Sequence, residues 1–160
     1  MLSPKSILLL AAAMTATPAT AAETSCCFHL STLADGVPLQ QAPGSGTLHL
    51  GATSASPPYP SLEYCFLSGS PAAVRDPGGN ACYVDPRGQV ICLDVTPGFA
   101  EWALGSGGEE DLLSYDGETT FLACSGGVDE ADGEVIWSVG GQGTGCREVK
   151  LQAKEKEGTC

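Results

Sequence analysis

The chain has 160 residues, enough for one domain, and sets nineteen acidic residues against seven basic ones, a net charge of −12 at neutral pH. A balance that acidic excludes attraction to nucleic acid or to an anionic membrane surface. Twenty-one glycines and eleven prolines imply many loops and few large apolar side chains, so covalent cross-links are expected to supplement a small core.

The first segment reads as a secretory leader. Lys5 supplies a positive flank, Ile7 to Met14 is an apolar run too short to cross a bilayer, and Ala19-Thr20-Ala21 is an A-x-A cleavage pattern. Residues 1–21 are therefore expected to be a signal peptide, leaving residues 22–160 as a single domain. Lys5 is the only charge before Glu23, so its removal leaves six basic residues against nineteen acidic ones, a net −13. No later stretch is long and apolar enough to span a membrane, and the run Lys150 to Cys160 is polar, unlike a lipid-anchor tail.

All eight cysteines follow the leader: Cys26, Cys27, Cys65, Cys82, Cys92, Cys124, Cys146 and Cys160. An even count in an oxidising compartment makes disulfides the expectation for all of them, although sequence alone leaves the pairing open. Cys26 and Cys27 are adjacent, and neighbours rarely bond each other, so they should tie the start of the domain to two different places.

Thr47 to Gly51 reads as a short strand, with His49 on its solvent side between Leu48 and Leu50. Ala52 to Ser61 is rich in Ser, Thr and Pro and reads as an exposed loop, making Thr53, Ser54, Ser56 and Ser61 candidates for O-glycosylation. Asn80 is the only asparagine and lies outside an N-x-Ser/Thr sequon. Ala81 to Val84 and Gln89 to Leu93 read as strands around Asp85-Pro86-Arg87-Gly88. Pro suits the second position of a type I turn and Gly the left-handed position that closes a three-residue loop with a bulge. That register sets Asp85 against Gln89, Val84 against Val90, Tyr83 against Ile91 and Cys82 against Cys92. A Cys82–Cys92 bond is therefore expected, its loop closure contributing roughly 3 kcal/mol.

A second hairpin is expected where Leu112 to Tyr115 and Glu118 to Cys124 flank Asp116-Gly117. Glu134 to Val139 reads as another strand, and Arg147 to Ala153 alternates, with Val149, Leu151 and Ala153 on one face. No segment has a helical period. The fold class is all-β, a small disulfide-stapled barrel or sandwich of about seven short strands.

The residues do not assemble the usual catalytic patterns. His29 and His49 lack a second ligand at metal spacing, and oxidised cysteines do not bind zinc. No G-x-S-x-G elbow is present. Glu109-Glu110-Asp111 and Asp129 to Glu134 are acid-rich, but such clusters are usually solvated loops, and the second does not match an EF-hand. A non-enzyme without catalytic residues, metal ligands or cofactors is the expectation. Exposed faces of Tyr59, Trp102 or Trp137 would instead favour sugar stacking.

The string L-S-Y-D-G-E-T-T-F-L-A-C-S-G-G, ending at Gly127, is followed by I-W-S-V, by G-T-G-C-R-E-V-K-L-Q-A and by Cys160. This resembles the C-terminal domain of PIR-type fungal cell-wall mannoproteins. Cys26-Cys27-Phe28, Tyr64-Cys65-Phe66 and the Cys82 and Cys92 pair are similar to short secreted fungal proteins carrying little beyond that domain. On this resemblance Cys27 matches the first family cysteine, and Cys124, Cys146 and Cys160 the last three. It implies a secreted, non-enzymatic structural constituent of the fungal cell wall, with β-glucan or other wall proteins as partners. The alternative is a secreted glucan-binding module or a host-interacting effector. Family members esterified to β-1,3-glucan use a glutamine in an internal repeat. No such repeat is found, and Gln40, Gln41 and Gln142 lie outside that motif.

Overall fold

The computed structural model describes residues 24–53, 59–68, 72–94, 102–105, 111–125 and 133–159. The expected leader lies outside the described residues. Among the described residues twelve strands follow in chain order: β1 (Thr24–Thr32), β2 (Leu39–Gln41), β3 (Leu48–Leu50), β4 (Glu63–Ser68), β5 (Ala73–Arg75), β6 (Ala81–Val84), β7 (Val90–Asp94), β8 (Trp102–Leu104), β9 (Leu113–Tyr115), β10 (Thr120–Ser125), β11 (Glu134–Ser138) and β12 (Cys146–Gly158). The all-β, disulfide-stapled class stands. The strands outnumber the expected seven because several are only three residues long, too short to show a period in sequence.

Ten strands form one antiparallel sheet in the order β2-β3-β11-β10-β12-β1-β4-β5-β6-β7, and β8 pairs with β9 separately. The large sheet curls until its far end meets its beginning. Isolated bridges join Thr47 to Ile91 and Gln89 to Trp137. Cys92 N–H donates to the Gly46 carbonyl at 2.9 Å, and Ser138 N–H to that of Gly88 at 2.8 Å. Close approach explains both glycines. Gly46 has φ +65° and a Cβ there would collide with the Cys92 carbonyl; Gly88 has φ +94° and a Cβ would strike Gly141.

The core lies inside the curl. Cys26, Phe28 and Leu30 alternate inward from β1, and Val149, Leu151 and Ala153 from β12, with Tyr64, Val74, Val90, Phe121 and Ile136 filling the space between. Each fully buried Phe or Leu contributes roughly 1.5–3 kcal/mol. Among the described residues the Ser31 hydroxyl is the one buried side-chain polar group without a hydrogen-bond partner. The Gln41 amide donates to Asp76 at 2.8 Å, and Asn80 donates to Asp76 from its backbone N–H at 2.8 Å. Burial alone would raise the Asp76 carboxyl, but these donors outweigh it and hold it below the usual carboxylate range.

The hairpin at Asp85–Gly88 has the expected register, Val84 to Val90, Tyr83 to Ile91 and Cys82 to Cys92. Asp85 N–H donates to Gln89 at 2.9 Å, and the Asp85 carboxylate accepts from the Arg87 and Gln89 backbone N–H groups. The second hairpin differs from its expectation. Its two-residue turn forms, with Asp116 and Gly117 both at positive φ and reciprocal 3.0 Å bonds between Tyr115 and Glu118. Beyond that turn β9 does not pair with β10. Both edges of β10 are taken, by β11 and β12, so β9 diverges to pair with β8.

His49 is another correction. It is 6% exposed rather than solvent-facing, because the returning chain covers its side of β3. Tyr59 meets its ring edge-on at 5.0 Å, and the Gln40 side chain pins that chain by bonds to the Tyr59 carbonyl and the Ala52 N–H, both 2.8 Å.

Candidate functional site

The sequence-derived candidates fall in several places. Cys27 bonds Cys65, Cys82 bonds Cys92, and Cys124 bonds Cys146. In every case the two cysteines are directly opposed partners in neighbouring antiparallel strands. Cys82–Cys92 faces the core, whereas Cys27–Cys65 is half-buried on the outer surface. Cys26 is also disulfide-bonded, and Cys160 lies outside the described residues. Of the O-glycosylation candidates, Thr53 and Ser61 are exposed, while Ser54 and Ser56 lie outside the described residues.

The described members of the acidic runs are ion-paired. Asp111 meets Lys156 at 2.6 Å, and Glu134 grips Arg147 through both oxygens, the shortest contact 2.6 Å. Glu109, Glu110, Asp129, Glu130 and Asp132 lie outside the described residues. Among the described residues no group of three His, Cys, Asp or Glu side chains could hold a metal ion. Trp102 is 3% exposed and does not offer a stacking face; its indole N–H donates to the Cys82 carbonyl at 2.8 Å, and Tyr115 packs edge-on against it at 5.0 Å.

Among the described residues, two clefts share Thr120, the first residue of β10, as a lining residue. One, of about 240 Å³, lies between the turn after β1 and the start of β12, lined by Thr32, Leu33, Ala34, Thr120, Arg147, Glu148, Val149 and Lys150. The other, of about 150 Å³, lies under the Asp116-Gly117 turn, lined by Tyr115, Asp116, Glu118, Thr120, Phe121, Ser138 and Val139. The local sequence fixes this geometry. The tight turn projects Glu118 back onto the Thr120 N–H at 3.0 Å, and pairing of Thr120 with Lys150 sets β12 beside it.

Arg147, in the first cleft, is ion-paired with Glu134. Hydrogen bonding to Glu134, and then the Glu134 and Asp35 charges, hold the Arg147 guanidinium more firmly protonated than usual. The Thr32 hydroxyl, the Val37 N–H and Arg147 lower the Asp35 carboxyl. The Thr120 N–H and hydroxyl, aided by Lys150, lower Glu118. What remains is a set of fixed hydroxyls and carboxylate oxygens over an apolar floor of Leu33 and Val149, with the Tyr115 ring in the second cleft.

No protein-family model, curated protein or solved structure matches the chain. The clefts were not legible in the sequence, because their walls come from the turn after β1, from β10 and from β12, more than a hundred residues apart from first to last. The Asp116-Gly117 turn was the one local signal pointing toward them.

Proposed function

We propose that this protein is a secreted, non-catalytic structural component of the fungal cell wall, carrying a PIR-type C-terminal domain. One observation carries the reading. The two segments on which the resemblance rests, F-L-A-C-S and G-C-R-E-V-K-L-Q-A, lie side by side as β10 and β12 and are tied by Cys124–Cys146. Strands stapled at directly opposed positions suit a protein that must keep its shape outside the cell. Ion pairing of Asp111 and Glu134 also supports a non-enzymatic role, since a carboxylate held by a cation is poorly placed as a general acid.

Fractionation of a fungal culture expressing the tagged protein tests this. The protein is expected in the medium and in the wall, the wall-bound part released by detergent with reductant and without glucanase. Retention inside the cell would overturn the proposal. So would hydrolysis of β-glucan, chitin, ester or peptide substrates by purified protein if that activity were lost on Asp111→Asn or Glu134→Gln. The clefts at Thr120 favour a second reading, a glucan-binding module, which is compatible with wall residence.

A further inference from the structure

We infer that the two clefts meeting at Thr120 form one groove that binds a short uncharged oligosaccharide, with a sugar ring on each side of Thr120. Separately the clefts measure about 240 and 150 Å³; together they reach the lower end of the roughly 300–1,000 Å³ typical of ligand sites. Both open onto Thr120, so a chain of linked rings can cross it.

The charge arrangement selects the ligand class. Arg147 is held by Glu134 at 2.6 Å, and the carboxylates of Asp116 and Glu118 line the second cleft. An incoming anion would have to displace Glu134 from Arg147 in one cleft and would meet two carboxylates in the other. A neutral polyhydroxyl ligand needs no such exchange. Its hydroxyls donate to the remaining lone pairs of Glu118 and Asp116 and pair with the Thr120 and Ser138 hydroxyls. Its C–H faces pack on Val149 in one cleft and on Tyr115 in the other, where Trp102 fixes the ring. The groove is built largely on paired strands and a two-residue turn, so little ordering entropy is lost on binding.

This groove rests on the proposed wall residence only for the source of the sugar. The test is titration of isotopically labelled, disulfide-intact protein with laminaritetraose, mannotetraose and glucose, followed by amide chemical shifts. At least one tetrasaccharide is expected to shift the amides of Tyr115, Glu118, Thr120 and Lys150 and to bind about tenfold or more tighter than glucose. The two tetrasaccharide arms distinguish a glucan from a mannan source. Thr120→Trp, which fills the junction, and Tyr115→Ala, which removes one stacking face, are each expected to weaken binding about tenfold. Arg87→Ala, outside both clefts, should leave it unchanged. Absence of saturable shifts with both tetrasaccharides, shifts centred elsewhere, or full binding by both groove variants with native-like spectra would overturn the inference. Wall residence is read separately by fractionation. A wall-resident protein that binds neither tetrasaccharide defeats the groove alone, and a binding protein retained inside the cell defeats the wall reading alone.

Discussion

Replacing the disulfides by serine or by alanine separates two contributions that a single deletion would merge. Cys27 and Cys65 are 38 residues apart and half-buried, whereas Cys82 and Cys92 are 10 apart and enclosed, 1% and 0% exposed. In the chain-entropy model the first bond restricts the unfolded chain by about 4 kcal/mol and the second by about 3 kcal/mol. Loop length alone therefore ranks Cys27–Cys65 as the costlier loss. Burial reverses that rank for serine. Two hydroxyls left in the core without partners cost about 1–3 kcal/mol each, while hydroxyls at positions 27 and 65 reach water. The Cys82→Ser/Cys92→Ser protein should then lose about 5 kcal/mol or more, and Cys27→Ser/Cys65→Ser about 4 kcal/mol. With alanine, the buried pair loses only its loop term and some packing, so it should be about 2 kcal/mol more stable than the serine version; at the outer pair serine and alanine should nearly coincide. Urea unfolding of the four double variants measures this directly, with a steeper slope expected as the denatured chain expands. Equal stability of the serine and alanine versions at 82 and 92 would refute the burial argument. A loss below about 1 kcal/mol for Cys27→Ala/Cys65→Ala would refute the loop argument.

Further outcomes follow from the same geometry. Asp76→Ala should destabilise by about 3 kcal/mol, because it strands the Gln41 amide and the Asn80 N–H; Asp76→Asn should cost less, both read by thermal unfolding. Asp76 and Asp85 have carboxyls held below their usual values, so their contribution is full above the ordinary carboxylate pKa of about 4 and is lost as pH falls through the lower folded values. The acid side of a stability–pH profile should therefore steepen below about pH 4, and steepen less in Asp76→Asn. Gly46→Ala should cost about 2 kcal/mol or more, since it combines positive φ with a collision at the Cys92 carbonyl, and calorimetry will show it as a lowered Tm. Non-reduced peptide mapping should recover the three described pairs, with Cys26 joined to Cys160 as the remaining cysteine.

The legible parts of this fold are those decided within a few residues. Asp85-Pro86-Arg87-Gly88 has one comfortable conformation, so its loop, its register and the Cys82–Cys92 bond could all be read from the chain. Val149, Leu151 and Ala153 alternate visibly because β12 has one buried face. Where tertiary partners decide, the sequence was silent or misleading. Nothing near Tyr115 signals that both edges of β10 will be claimed by strands that follow it, so the turn at Asp116-Gly117 suggested a longer hairpin than exists. His49 looked solvent-facing because alternation along β3 cannot reveal that Tyr59 returns over it. The alternation of Cys26, Phe28 and Leu30 was present but masked by the cysteines, which suggested cross-links before they suggested a strand. The groove at Thr120 needs three separate chain regions and left no local trace.

The opposition of cysteines across neighbouring strands has a consequence for how the protein is made. Side chains alternate faces along a strand, so a slip of one residue would turn one cysteine outward and its partner inward. Two sulfurs on opposite faces of a sheet cannot bond. Once its two strands are paired, each of Cys27–Cys65, Cys82–Cys92 and Cys124–Cys146 can therefore close only in the right alignment. The cross-links act as checkpoints on assembly: oxidation of a paired ladder records the correct alignment, and a misaligned ladder keeps its free thiols.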